Sequence, residues 1–351
     1  MTSQTGLKLA IEVGGSGHND PAAMTDWVQR AERLGVESVW SGEAWWGDAV
    51  TVLAYLAGQT KRIRLGTGIM QTTTRVPAMT AMTALSLNDL SGGRFILGLG
   101  ASGPQVAEGL HGVAYESPLT RLRETVEICR MIFAGKRVQY DGKVFQLPRP
   151  GGEGKVMRIA HEPVDIPVYL ATLAPKSLAY TGAAGNGWLG TSFSPDHPDA
   201  HLPFIEAGAT SAGRALADID LCVSVRVEIG ERVEEMIERR KPGVAFTLGG
   251  MGSATTNFYS DAFRRAGYED DATAIQSLWI AGKREEAARR VPDAMITRFQ
   301  AIGTRNMVRD RFQKYKDAGI NTLKLGLDGV KPGAPRLELL ENIVDLVEGL
   351  S

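Results

Sequence analysis

Short apolar runs alternate with amphipathic segments along almost the whole chain, and that rhythm narrows the fold more than any other feature. "LKLAIEV" (7–13) and "VESVWSGEA" (36–44) read as strands, followed by the helical stretches "DPAAMTDWVQRAERLG" (20–35) and "DAVTVLAYLAGQT" (48–60). Asp20 and Pro21 open the first helix and Gly35 closes it. "RIRLGTG" leads into the helix "VPAMTAMTALSLNDLSGG" (76–93), and "RFILGLG" (94–100) is a fourth strand. After a long loop comes the helix "PLTRLRETVEICRMIFAG" (118–135). Four strand–helix pairs in a row, each strand rich in β-type apolar residues, predict a parallel sheet built from βαβ units.

The rhythm then stretches. "KRVQYDGKVFQL" (136–147) reads as a β-hairpin around Asp141-Gly142, a favoured two-residue turn pair. "IPVYLA" (166–171) is a fifth strand with a helix after it, and "GWLG" (187–190) a short sixth, followed by a helix near 198–217. "DIDLCVSVRVEIG" (218–230) is the seventh. Residues 231–300 are helical in pattern and read as an insertion before the last unit, where a helix and the eighth strand occupy 304–327. Eight strands alternating with helices predict an α/β fold, a (β/α)8 TIM barrel forming one domain over residues 1–351. Hydrophobic residues make up 43% of the chain, ample for such a core.

Charge and cysteine usage restrict the partners. Lys plus Arg total 39 against 40 for Asp plus Glu, a balance that argues against a general nucleic-acid binder. Cys129 and Cys222 lie far apart and suit a reducing compartment. The N-terminus has no basic region followed by a long apolar run, and no stretch reaches the length of a membrane span. The expectation is a soluble, cytoplasmic protein with neither a nucleic-acid nor a membrane partner.

In a barrel of this kind the site is built from the C-terminal strand ends. Those ends collect Glu12, Glu43 with Trp45 and Trp46 after it, Gly68-Ile69-Met70-Gln71, Gly100-Ala101-Ser102-Gly103, Ala171-Thr172-Leu173 and Gly190-Thr191-Ser192. No G-x-S-x-G nucleophile elbow is present. His197 and His201 have helical spacing, but two ligands fall short of the three or four that a zinc site requires, so no metal is expected. Glycine, small residues, aromatics and a few carboxylates suit a flat conjugated ligand that the backbone approaches closely. Glu12 and Glu43 are candidate proton handlers, and each also reads as a carboxylate paired with a nearby cation or helix end. Pro175 fits a helix N1 position, so the N–H groups around Leu173 to Lys176 would face an anion, with Lys176 adding charge.

Four segments together resemble the bacterial luciferase-like flavin and deazaflavin oxidoreductases. They are "IRLGTGIMQTTTRVPAMTAMTALSLNDLSGGRFILGLGASG", "PLTRLRETVEICRMIFAGK", "IPVYLATLAPKSLAYTGAAGNGWLG" and "VRDRFQKYKDAGINTL", spread over most of the chain. The likeness is to the deazaflavin (coenzyme F420)-dependent branch that includes methylenetetrahydromethanopterin reductase. It implies a bulge with a non-prolyl cis peptide at Gly68-Ile69, supporting the cofactor ring from behind, with Met70 and Gln71 along the ring edge. It further implies Ala101 and Ser102 beside the ring or its side chain, and Thr172, Leu173, Ala174 and Lys176 at the cofactor phosphate. Glu12 matches an acidic residue of the methylene reductases. The Asp-His pair common in the family after strand two is replaced by Glu43-Ala44, and Gly103 stands where the glucose-6-phosphate-oxidising relatives carry a catalytic Glu.

The resemblance implies hydride transfer between coenzyme F420 and a small organic substrate. An FMN-dependent monooxygenase and a non-catalytic flavin-binding protein are the other readings. Substrate contacts are expected from Trp45, Trp46, the 101–117 loop and the insertion, and family members often form homodimers through barrel helices.

Overall fold

The computed structural model describes residues 6–14, 20–327 and 330–350. Eight parallel strands close on themselves: β1 (Lys8–Val13), β2 (Ser38–Ser41), β3 (Arg64–Thr67, continued by Met70–Gln71), β4 (Phe95–Gly100), β5 (Val168–Ala171), β6 (Gly187–Gly190), β7 (Asp220–Ile229) and β8 (Thr322–Gly326). Each pairs with the next, and β8 pairs back to β1 with Lys8 opposite Thr322 and Ala10 opposite Lys324. Helices follow the strands, as the apolar rhythm predicts. No helix among the described residues is long and apolar enough to cross a membrane.

Alternation along each strand sorts side chains between two layers. Leu9, Ile11 and Val13 of β1 pack outward into the shell between barrel and helices, as do Leu323 and Leu325 of β8. Ala10, Trp40, Ile96, Tyr169, Leu189 and Cys222 fill the barrel itself. Trp40 is the largest of these, and its indole lies across Gly66, where any Cβ would collide with the ring. Trp40 and Tyr169 meet at 5.7 Å with a 41° tilt, which plugs the middle of the barrel.

Two local expectations need correction. The hairpin pairs Tyr140 with Leu147 and Asp141 with Gln146, so its turn is the four residues 142–145 rather than Asp141-Gly142. The cause is Glu124, a buried carboxylate that accepts the amides of Lys143 (2.7 Å), Val144 (3.0 Å) and Phe145 (2.8 Å) and so spreads the turn around itself. The helix expected near 198–217 is a 3-10 turn at Pro198–Ala200, a helix at Leu202–Ser211 and a second 3-10 turn at Leu216–Asp218. Non-helical His201 breaks it at one end, and Gly213, with φ at 71°, breaks it at the other.

The segment after β7 carries five α-helices between Val233 and Thr297, with an apolar cluster of their own centred on Leu248, Ile275 and Met295. A short strand not expected from the sequence, Ala301–Gly303, pairs in parallel with Val227–Ile229.

His201 is fully buried between Trp188 (5.4 Å) and Phe193 (5.8 Å), and neither ring nitrogen has a hydrogen-bond partner. Burial, helped by the Arg265 charge, lowers its pKa from 6.5 to about 3. The unfolded chain therefore binds the extra proton between these values, and stability falls as pH drops through that window. The expected loss from this residue is about 2 kcal/mol between pH 7.5 and pH 5. His201→Phe should flatten that slope, and thermal unfolding of both proteins at the two pH values would show it.

Candidate active site

The end of β3 is the best-braced part of the barrel mouth. The Gly68-Ile69 peptide is cis, as the family resemblance implies. On one side the Gly68 amide donates to the Ser41 carbonyl (2.7 Å), and the Glu43 amide donates to the Ile69 carbonyl (3.0 Å). On the other side the Thr72 amide donates to the Gly100 carbonyl (3.0 Å). Glycine is required at position 42, where the clash is with backbone, and position 100 leaves little room for a side chain. A Cβ on Gly42 would lie 2.5 Å from the Gly68 oxygen, and one on Gly100 would lie 2.6 Å from Ile69 Cδ1. The wall thus offers main chain and the Ile69 side chain.

The neighbouring candidates divide between wall and support. Met70 is fully buried and belongs to the shell between barrel and helices, so it reaches the mouth only through its backbone. Gln71 is also buried; its Nε2 donates to the Glu43 carbonyl (3.0 Å), while its Oε1 has no partner. Glu43 is committed to the brace. Its carboxylate accepts Arg75 Nη2 at 2.5 Å and Nε at 3.1 Å, and the Gln71 amide at 3.2 Å. The pair spans 32 residues and locks the end of β2 to the segment after β3.

Glu12 is the carboxylate that the mouth leaves half-exposed, at 49% of its side chain. Lys324 Nζ reaches it at 2.5 Å from inside the barrel, where only 9% of the lysine side chain is exposed. Burial by itself would lower the lysine pKa, but the Glu12 carboxylate outweighs it and holds Lys324 above the usual lysine value, hence protonated. The ammonium lies just under the β3 bulge, 3.7 Å from where a Gly68 Cβ would stand. Sequence reasoning passed over Lys324, although a lysine inside "NTLKLGL" at an inward position was a readable signal.

The β4 loop continues the wall. Ser102 has φ at 58°, left-handed for a residue with a side chain, and its carbonyl accepts the Tyr115 hydroxyl at 3.0 Å. Burial, with a smaller contribution from Tyr259, pushes that phenol up to about 12, so it remains a donor. Ala101 and Ser102 therefore stand at the mouth in a conformation that the loop holds from behind.

After β5, the Thr172 hydroxyl is turned inward and bonded to Thr181 Oγ1 at 2.7 Å, while its carbonyl accepts Trp188 Nε1 at 3.0 Å. The helix Pro175–Ala184 starts from Ala174 with no side-chain cap, which leaves its first turn open to an anion. Lys176 is exposed beside it. Arg265, reaching in from the insertion, donates to the carbonyls of Leu173 (2.7 Å) and Ala200 (3.2 Å), and so ties this corner to the β6 side of the rim. Nothing in the sequence marked Arg265. No group of three or more histidine, cysteine, aspartate or glutamate residues is placed to hold a metal among the described residues.

Comparison with known proteins agrees with this construction. A 35% identical relative from Mycobacterium tuberculosis, named as a coenzyme F420-dependent oxidoreductase, aligns over 91% of this chain and 95% of its own length. The 5,10-methylenetetrahydromethanopterin reductase of Archaeoglobus fulgidus is 29% identical over 86% of this chain and 88% of the relative. The solved coenzyme F420-dependent tetrahydromethanopterin reductase of Methanopyrus kandleri superposes with a TM-score of 0.79 at 26% identity, covering 98% of this chain and 99% of that one. The luciferase-like monooxygenase family model matches residues 3–322, and the chain belongs to that family.

Proposed function

We propose that this protein is a coenzyme F420-dependent oxidoreductase that moves a hydride between the deazaflavin and a small organic substrate. The observation that carries the reading is the braced β3 wall, a flat face of backbone and one aliphatic side chain set beside a single half-exposed carboxylate. The Mycobacterium tuberculosis relative and the Methanopyrus kandleri structure, both named for coenzyme F420, agree with it. The residues present suit the cofactor: the wall suits a planar ring, the buried Gln71 Oε1 lacks a donor, and the open helix start at Ala174 suits a phosphate.

When bound, F420 supplies the hydride chemistry at C5 of its ring. The chain supplies position and charge. Gly68, Ile69, Met70 and Gln71 form the backing surface, Ala101 and Ser102 the adjoining edge, and the backbone of Leu173 and Ala174 with Lys176 the anion end. Thr172 supports that end through Thr181 rather than by offering its hydroxyl. Glu12, with Lys324 beneath it, is the group we assign to proton handling; Glu43 acts through Arg75 and Gln71 to fix the wall. The two cysteines are buried free thiols, which supports a reducing cytoplasm as the working compartment.

Titration of ligand-free protein with F420 and with FMN in parallel tests the cofactor. Tight binding of F420 alone is the expected result, and tight binding of FMN alone would move the chemistry to oxygen. Glu12→Gln should lower kcat about a hundredfold and also lower the melting temperature, because it leaves the buried Lys324 ammonium without its carboxylate. An unaltered pH–rate profile for that variant would remove Glu12 from the mechanism.

The homodimer reading rests on Met79, Met82 and Leu90, apolar residues exposed along the helix Pro77–Leu90, with Val76 exposed just before it and Tyr55 exposed on the helix Ala49–Ala57 that packs beside it. Sedimentation should find a dimer that Met79→Glu together with Met82→Glu converts to monomer. A monomeric wild type would end this assignment.

A further inference from the structure

Beside the β4 wall runs a second concavity, an open groove of about 460 Å³ whose lining includes Gln105, Phe246, Ser253, Trp279, Ile280 and Arg284. It borders the short helix that follows β4. Gln105, on the short helix Pro104–Ala107 after β4, donates through Nε2 to the Gly252 carbonyl at 3.4 Å. The insertion helix Val233–Gly250 brings Phe246 to one side, and the helix Glu269–Ile280 brings Trp279 to the other. Gly249 makes that approach possible, since any Cβ there would collide with Trp279.

The aromatic rings form a continuous run. Trp45 and Trp46 meet edge to face at 5.3 Å, Trp45 meets Phe246 at 6.5 Å, and Phe246 meets Trp279 at 5.7 Å. Trp45 and Trp46 are about half exposed, at 53% and 46%, so the run opens to solvent toward the β2 side. At its far end the Arg284 guanidinium lies over the Trp279 ring at 5.3 Å. Arg284 has no carboxylate partner among the described residues, whereas its neighbours are matched: Lys283 with Glu286 at 3.4 Å and Arg289 with Glu285 at 3.7 Å. No lining residue of the groove is acidic.

We propose that this groove takes a flat, ring-bearing anion, with the ring against Phe246 and Trp279 and the carboxylate on Arg284. Edge-to-face arrays accept another ring at the same spacings, which favours a planar group over an alkyl chain. An arginine already oriented on an indole has its N–H fork free for bidentate contact with a carboxylate, which favours an anion over a neutral ring. The groove thus selects the distal part of a substrate whose reacting carbon lies over the mouth. That placement of the reacting carbon rests on the proposed hydride-transfer reading; binding of the distal part does not.

The probes are 2-naphthoate, its neutral analogue 2-naphthalenemethanol, and the non-planar cyclohexanecarboxylate, each titrated calorimetrically without cofactor. Naphthoate should bind best, and Arg284→Gln should weaken it about tenfold while leaving naphthalenemethanol unchanged. Phe246→Ala should weaken both ring compounds. The groove assignment is overturned if naphthoate does not bind, if Arg284→Gln holds it as tightly as wild type, or if cyclohexanecarboxylate binds equally well. Titration of wild type and Arg284→Gln with F420 separates the two readings. Naphthoate binding without F420 binding leaves the groove standing and removes the cofactor, and the reverse removes the groove alone. Unchanged F420 affinity in Arg284→Gln shows that the variant is intact.

Discussion

The main-chain bracing at the end of β3 is the constraint on which the mouth depends. Three backbone hydrogen bonds, from Gly68 to Ser41, from Glu43 to Ile69 and from Thr72 to Gly100, fix the bulge between two strands at once. Gly42 permits this close approach, since any Cβ there would collide with the Gly68 carbonyl. The ion pair of Arg75 and Glu43 then closes the same corner from behind. A planar ligand meets a surface whose position is set by backbone, which has fewer ways to relax than side chains do.

Charge is handled sparingly inside this barrel. Most of the interior is apolar or aromatic, and Lys324 enters it only because Glu12 meets its ammonium at the rim. The result is a cation fixed below the bulge and a carboxylate on the solvent side, a dipole whose negative end faces the mouth. Removal of the lysine charge should leave Glu12 solvated, so the two halves of the pair are unequal. The lysine depends on the glutamate far more than the reverse.

Much of this was legible in the sequence because it is local. Strand positions follow from apolar alternation, whereas the bulge in "GTGIMQ" was implied by the family resemblance. Glu12 stood out as a lone carboxylate in an apolar strand. What escaped depends on distance along the chain. Glu43 was readable as a carboxylate needing a partner, but Arg75 as that partner required the fold. The hairpin turn was misjudged because Glu124, on the preceding helix, reorganises it. Arg265 comes from the insertion, where helical periodicity describes the shell and says nothing about which residue reaches back to Leu173.

β7 is longer than the other strands of the barrel, and its final residues pair in parallel with Ala301–Gly303. The chain therefore leaves for the insertion along Val227–Ile229 and returns beside the same three residues, with the Gly230 amide donating to the Gly303 carbonyl at 2.9 Å. Departure and return share one ladder. The excursion between them begins and ends at one point of the barrel rim, so its length places no demand on the register of the barrel strands.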